Sequence, residues 1–263
     1  MLIPEINDVL NSFRTVGLEA MDTTRLMNRI DTKYVLSIRK LPELLIRMDG
    51  AYRVLEINNN RLFSYFTTYL DTNDFLFFNQ HVTGKLERNK VRYRKYETTG
   101  ITYLEVKRRT NKDRTIKWRI EHNLTPGSEC DEKARDFIKE YVPQKPLLLK
   151  PVLINSFKRI TLVGSEINER ITIDQDLSYS DTTGNQVRFP SVAIIEHKRE
   201  RFTSGSPVGE ILKECFIHPT GFSKYCFGTA IMHDIPRKNM LKPKLLLINK
   251  IENEFNNSSP HPG

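Results

Sequence analysis

Between Arg88 and Glu97 the chain reads RNKVRYRKYE, with cations at alternate positions, Arg88, Lys90, Arg92 and Arg94, and with Val91 and Tyr93 between them. Successive side chains of a β-strand point to opposite faces, so this spacing predicts a strand with one basic and one apolar side. The habit recurs along the chain. Ile101 to Arg109 sets Tyr103, Glu105, Lys107 and Arg109 opposite Thr102, Leu104 and Val106, while Lys117 and Arg119 interleave with Ile116, Trp118 and Ile120. Arg170, Thr172 and Asp174 share a face in ERITID, as do Ile194, Glu196 and Lys198 in VAIIEHK. Like charges about 6.5 Å apart along a strand repel unless an anion or water faces them. Two arrangements satisfy that condition: a sheet whose charged side is solvated, or a closed barrel with a basic lumen.

The remaining pattern predicts the other elements. Apolar positions Ile3, Ile6, Val9, Leu10 and Phe13, then Leu18, Met21 and Leu26, predict two short helices broken around Gly17. RIDTKYVLSI opens the first strand, and Pro42 to Met48 reads as a helix with proline near its start. YRVLEI and LFSYFTTYLDT, separated by NNN, read as a hairpin. Asp74 to His81 predicts a short helix, Arg88 to His122 a three-stranded meander, and Cys130 to Tyr141 an amphipathic helix ending at Pro143. LLLKPVLINSFKRITLVG returns to strand, Pro207 begins another helix, and GFSKYCFG reads as a loop leading into a short helical turn. The expected division is a helical segment over 1–27, a main body over 28–234, and a tail over 235–263 whose polar end, NNSSPHPG, favours disorder.

Composition narrows the partners. The chain has 263 residues, 38% of them hydrophobic, enough for a substantial core, and its net charge of +9 calls for an anionic partner. Cys130, Cys215 and Cys226 form no CxxC pair, which argues against a disulfide framework or structural zinc and suits a reducing cytoplasm. No run of about 18 apolar residues occurs, so membrane association is expected only through a partner protein. The chain contains no GxxxxGK[ST], GxGxxG, HExxH or GxSxG, so any phosphate must be bound by side chains rather than by a phosphate loop.

RIDTKY, YLDT, KVRYRKY, LEVKRR, NSFKRI, NERITID, IIEHKRE and GFSKYCFG, in this order, resemble the VTC domain, the polyphosphate polymerase module of the vacuolar transporter chaperone complex. The likeness spans roughly residues 20–232 and places the chain near the triphosphate tunnel metalloenzymes. It implies an α+β fold: an antiparallel β-barrel of about eight strands with peripheral helices, its tunnel lined by Lys33, Arg92, Arg94, Lys107, Arg159, Arg170 and Lys224. It implies Glu196, with Glu105 as a second candidate, as carboxylates for Mn²⁺ or Mg²⁺. His81, Arg88, Lys90 and Lys198 are weaker candidate substrate contacts. The alternation independently selects Arg92, Arg94, Lys107, Arg170 and Glu196; Lys33, Arg159 and Lys224 rest on the resemblance.

The chain departs from the pattern at two positions. Arg29-x-Asp31-x-Lys33 stands where tunnel hydrolases and cyclases carry Glu-x-Glu-x-Lys, and His81 stands where eukaryotic VTC domains carry arginine. The first change removes a water-activating or metal-binding carboxylate and argues against hydrolysis. The second leaves one phosphate contact to Lys85 or Arg88. The implied activity is transfer of the γ-phosphoryl of ATP to inorganic polyphosphate. Alternatives are a tripolyphosphatase, a catalytically silent polyphosphate-binding module, and a nucleic-acid binder using Tyr93 and Tyr96 to stack bases, the last not expected. His81, His122 and His197 are isolated and read as hydrogen-bonding surface residues, Trp118 as core, and Lys95, Arg108 and Arg199 as outward-facing. Oligomeric state is not legible.

Overall fold

Strand alternation becomes sheet register. The computed structural model describes residues 5–19, 29–112, 114–123, 130–142, 148–201 and 205–257. The described residues form eleven strands in one sheet: β1 (Thr15–Val16), β2 (Arg29–Ser37), β3 (Tyr52–Leu55), β4 (Phe63–Asp71), β5 (Arg88–Tyr96), β6 (Thr102–Arg109), β7 (Thr115–Glu121), β8 (Lys150–Gly164), β9 (Glu169–Ser180), β10 (Gln186–Phe189) and β11 (Val192–Glu200). The helices are α1 (Ile6–Ser12), α2 (Leu41–Met48), α3 (Leu76–Val82), α4 (Glu132–Tyr141), α5 (Pro207–Glu214), α6 (Lys224–Met232) and α7 (Lys242–Asn257). The main path runs β2-β11-β9-β8-β4-β5-β6-β7 with every neighbour antiparallel, the eight-stranded α+β arrangement expected. Among the described residues β2 and β7 are not hydrogen-bonded to each other, so the sheet leaves a seam between its ends.

Two readings of local structure change. YRVLEI and LFSYFTTYLDT are not a hairpin. Asn58 and Asn59 do adopt positive φ, and Ile57 and Asn60 exchange backbone hydrogen bonds, but the flanking strands then part. The 15-residue β8 accommodates both on one side, β4 along residues 150–159 and β3 along 162–164. GFSKYCFG does not stay a loop with a brief turn. Ser223 accepts from the Cys226 amide as N-cap and starts the nine-residue α6. The tail also contains a helix, α7, that the polar ending of the chain concealed. The second helix expected before residue 27 and most of NNSSPHPG lie outside the described residues.

The apolar side of β2, β8, β9 and β11 carries Tyr34, Leu36, Ile160, Leu162, Ile171, Ile173, Ala193 and Ile195, which pack under α1, α2 and α5. The apolar side of β5 and β6 carries Val91, Tyr93, Leu104 and Val106 in a cluster with Phe137 and Ile138 of α4. Helix α6 is apolar around most of its circumference, with Tyr225 to Ala230 all buried, as its composition requires. A Cβ at Gly228 would meet the Tyr179 ring at 2.4 Å and Leu153 at 2.7 Å, so only glycine permits this approach to the sheet. Asp71 ties α6 to α3: it accepts from the Phe77 and Phe78 amides at 2.9 and 3.0 Å and from the Tyr225 hydroxyl. No described helix is long and apolar enough to cross a membrane.

A basic interior face as the candidate functional site

Following the register strand by strand collects the second face of the sheet. Lys33 pairs with Glu196, Glu196 with Thr172 and Thr172 with Thr161; two residues along, Asp174 pairs with Arg159. Thr67 and Tyr69 pair with Arg94 and Arg92, Arg92 with Glu105, Glu105 with Arg119, and Lys107 with Lys117. Lys107 on β6 feels Glu196 on β11, and Lys90 on β5 feels Lys33 on β2, so this face is concave and its charges converge.

Three interior carboxylates each sit between two cations. Arg92 Nε donates to Glu105 Oε2 at 2.8 Å while the Lys117 ammonium contacts Oε1. Arg159 grips Asp174 through both oxygens, Nε to Oδ1 at 2.5 Å and Nη2 to Oδ2 at 2.8 Å, and the Lys224 ammonium reaches Oδ2. Lys198 Nζ lies 2.7 Å from Glu196 Oε2, and Lys33 Nζ lies 3.7 Å from Oε1. Burial pushes all three carboxyls up, yet the adjacent cations hold them below the usual carboxylate range. Arg159 engages both Asp174 oxygens in the bidentate geometry that a guanidinium allows and an ammonium does not, whereas Arg92 sets two nitrogens on the single Glu105 Oε2.

Other cations on the face lack such compensation. Among the described residues no carboxylate lies within ion-pair distance of Lys90, Arg94 or Lys107; Lys90 donates to Ser223 Oγ at 3.0 Å. The Arg92 charge, then burial, pushes the Lys107 ammonium well down; burial and neighbouring charges bring Lys90 to about 8 and lower Arg94. Arg94 Nε, Thr67 Oγ1, Asn155 Oδ1 and Thr172 Oγ1 are buried without a hydrogen-bond partner. The donors among these, Arg94 Nε and the two threonine hydroxyls, together with the unneutralised cations describe a seat for an anion rich in acceptor oxygens. Aromatic rings floor it: the Arg94 and Arg159 guanidiniums lie 5.7 and 5.2 Å from the Tyr65 centroid, and Lys224 Nζ lies 4.6 Å from that of Phe157.

The structure thus brings Lys33, Arg92, Arg94, Lys107, Arg159, Lys224, Lys90, Lys198, Glu105 and Glu196 onto one face. Arg170 joins by register, opposite Lys198, and Arg88 stands at the start of the same strand face, donating to the Lys85 carbonyl at 2.8 Å. His81 is half-buried rather than a hydrogen-bonding surface residue, and its Nδ1 has no hydrogen-bond partner; burial and the charges of Lys90, Arg88, Lys33 and Arg109 push its imidazole down to about 2, so it is neutral among those cations. His197 is also enclosed, 2% exposed, and bonds Glu169 at 2.8 Å on the outer side. Sequence reasoning missed Asp174 and Lys117 as members of the site. Both lay on alternating faces already recognised, but only charge pairing in three dimensions distinguishes them from solvated residues. Tyr93 is buried in the outer core and Tyr96, half-buried, packs edge-on against Tyr65.

Fit to a divalent ion separates the two metal candidates. Hard cations take oxygen ligands, and Mg²⁺ commonly uses one or two carboxylates together with substrate phosphates. Among the described residues no group of three or more His, Cys, Asp and Glu side chains could hold a metal. Glu105 is fully enclosed and occupied by Arg92 and Lys117, whereas the Glu196 side chain is 18% exposed and its Oε1 has only the distant Lys33. Glu196 fits a metal shared with phosphate; Glu105 does not.

The VTC domain model matches residues 28–233. Similar solved structures include a candidate adenylate cyclase from Bacillus halodurans, at 15% identity and TM-score 0.48, covering 75% of this chain and 94% of that one. Another is a candidate adenylyl cyclase from Hippeastrum whose dominant activity is described as triphosphatase, at 13% identity and TM-score 0.48, covering 78% and 97%. A Pyrococcus horikoshii protein aligns at 12% identity and TM-score 0.42, covering 83% and 99%. No curated protein matches the chain.

Proposed function

The chain belongs to the VTC domain family over residues 28–233, and from that membership we propose that it transfers the γ-phosphoryl group of ATP to the end of an inorganic polyphosphate chain. A terminal polyphosphate oxygen attacks the γ-phosphorus, the bond to the β-phosphate oxygen breaks, and ADP leaves. The observation that carries this reading is the set of cations without counter-charge, Lys90, Arg94 and Lys107, beside buried donors with no partner.

Phosphoryl transfer asks the protein for positioning and charge neutralisation rather than covalent chemistry. Arg92 and Arg159, fixed by Glu105 and Asp174, present guanidinium edges of defined orientation. Arg94, Lys107 and Lys90 supply the charge that the triphosphate neutralises. Lys33, Arg170 and Lys224 extend the basic face along a longer chain. Glu196 would hold a divalent ion, Mn²⁺ or Mg²⁺, which when bound supplies further neutralisation of phosphoryl oxygens. ATP and polyphosphate are the partners in this reading.

One observation favours a second reading, a module that binds polyphosphate without turnover: Glu105 and Asp174 have both oxygens in close contact with cations and Glu196 Oε2 is held by Lys198, leaving Glu196 Oε1 alone for a metal. Incubation with ATP and Mn²⁺ separates the two. Inorganic polyphosphate with stoichiometric ADP, lost in Glu196→Gln, is expected of the transferase. Tight polyphosphate binding with no ATP consumption, unaffected by that substitution, would establish the binding module instead, and orthophosphate release from tripolyphosphate a hydrolase.

A further inference from the structure

We propose that Asp174 is a positioning residue for polyphosphate, a carboxylate that holds the Arg159 guanidinium and the Lys224 ammonium in the array that meets phosphoryl oxygens. The inference rests on the reading of the interior face as a polyphosphate site and names a residue outside the basic lining. Three elements build the group: Asp174 from β9, Arg159 from its partner strand β8, and Lys224 from the first residue of α6. Both carboxylate oxygens are engaged, Oδ1 by Arg159 Nε at 2.5 Å and Oδ2 by Nη2 at 2.8 Å and by Lys224. The guanidinium also lies beside the stacked pair of Tyr65 and Phe157 rings, each centroid 5.2 Å away. The Asp174 side chain is 2% exposed, so a phosphate chain meets the two cations and not the carboxylate. Asp174 therefore acts through its neighbours.

That arrangement gives a test with a sign. The charged groups facing Lys224 are Asp174 on β9, Arg159 on β8 and Lys33 on β2. Burial lowers the Lys224 ammonium to about 8, Arg159 and Lys33 act in the same direction, and Asp174 alone opposes them. Asp174→Asn keeps the shape and removes that opposition, so Lys224 loses its proton at lower pH. In mild acid Lys224 is charged in both proteins, and removing one negative charge leaves anion affinity equal or higher. In mild base the variant has lost the ammonium as well and binds more weakly. A purely structural carboxylate would weaken binding at both.

The experiment measures tripolyphosphate affinity by calorimetry for wild type, Asp174→Asn, Lys224→Met and the double variant, near pH 6 and near pH 8, with the Lys224 titration followed by NMR of ¹³Cε-labelled lysine. The Kd ratio of Asp174→Asn to wild type is expected to rise about ten-fold across that range, one pKa unit of Lys224, and to stay flat on the Lys224→Met background. A ratio equal at both pH values, or an unmoved Lys224 titration, overturns the proposal. Should Asp174→Asn not fold, Asp174→Glu serves: its displaced carboxylate is expected to weaken binding at both pH values and to do so less on the Lys224→Met background, and wild-type affinity, or a loss of the same size on that background, overturns the proposal. Wild-type protein that binds no tripolyphosphate removes the site reading itself; wild-type binding with a flat ratio removes only the role of Asp174.

Discussion

Arg92 and Glu105, directly opposed on β5 and β6, form a buried ion pair in which Nε donates to Oε2 at 2.8 Å and the carboxylate is fully enclosed. Glu105 also meets Lys117 from β7, so one carboxylate stitches three strands of the meander together. Breaking a buried pair by neutralising one member leaves an uncompensated charge and costs about 3–5 kcal/mol. Glu105→Gln is expected to lower stability by that order in urea denaturation. Because Glu196 rather than Glu105 fits a metal, the Mn²⁺ concentration dependence of any activity should be unchanged in the surviving folded fraction. A Mn²⁺ requirement displaced by Glu105→Gln would return Glu105 to the metal site.

Lys107 illustrates the opposite case, a cation retained at a cost. Its ammonium is opposed by Arg92 and Arg94 and, among the described residues, has no carboxylate within ion-pair distance. Lys107→Met should therefore stabilise the ligand-free protein by about 1 kcal/mol, or about 2–4 °C in Tm for a domain of this size. The same substitution should weaken tripolyphosphate binding by about ten-fold or more, since charge-assisted contacts to phosphate are among the stronger ones. Thermal unfolding with and without ligand reads both effects, and a variant less stable in both states would contradict the account.

Much of this site was legible from alternation, because a period of two survives folding unchanged: Arg92, Arg94, Lys107, Arg170 and Glu196 were placed on the polar faces by spacing alone. Lys33, Arg159 and Lys224 were not, since Lys33 lies in a short pattern, Arg159 precedes Val163 in a strand with a register shift near Ser156, and Lys224 enters from a helix. The hairpin reading failed for a related reason. The asparagine turn is real, but which strand each flank joins is decided by the length of β8, more than ninety residues away. Pairing of Asp174 with cations from two other elements likewise has no one-dimensional trace.

Alkaline pH should separate ligand affinity from stability. Lys90 and Lys224 are brought down to about 8, mainly by burial, and Lys107 lies well below its ordinary value. As pH rises through 8 these groups lose the charge that attracts phosphate, so tripolyphosphate affinity falls. Stability moves the other way. A lysine whose folded pKa lies below its unfolded value binds fewer protons when folded over that interval, so its contribution to stability rises with pH between about 8 and 10.5. Calorimetric titration across this range reads the first effect, and an affinity that holds constant above pH 8 would contradict it.

On the outer side, a buried network makes the matching control. Glu169 accepts from the Tyr52 hydroxyl, lies 2.8 Å from His197 Nε2, and accepts from Ser206 Oγ at 2.8 Å; Tyr52 OH in turn accepts from the Val208 amide at 3.0 Å. The network pins the start of α5 to the back of β9 and β11, opposite the basic face. Burial pushes the Glu169 carboxyl up, but His197, Tyr52 and Ser206 bring it below its ordinary value. A carboxylate depressed in this way contributes stability above its unfolded pKa and loses it as pH falls through the folded one. Glu169→Gln is expected to cost about 1–3 kcal/mol, since it leaves buried groups mismatched, and to flatten part of the acid limb of the stability profile. Tripolyphosphate affinity should not change, because no member of the network belongs to the interior face. Loss of affinity at full folding would mean that the two sides of the sheet are coupled, and that α5 takes part in shaping the site.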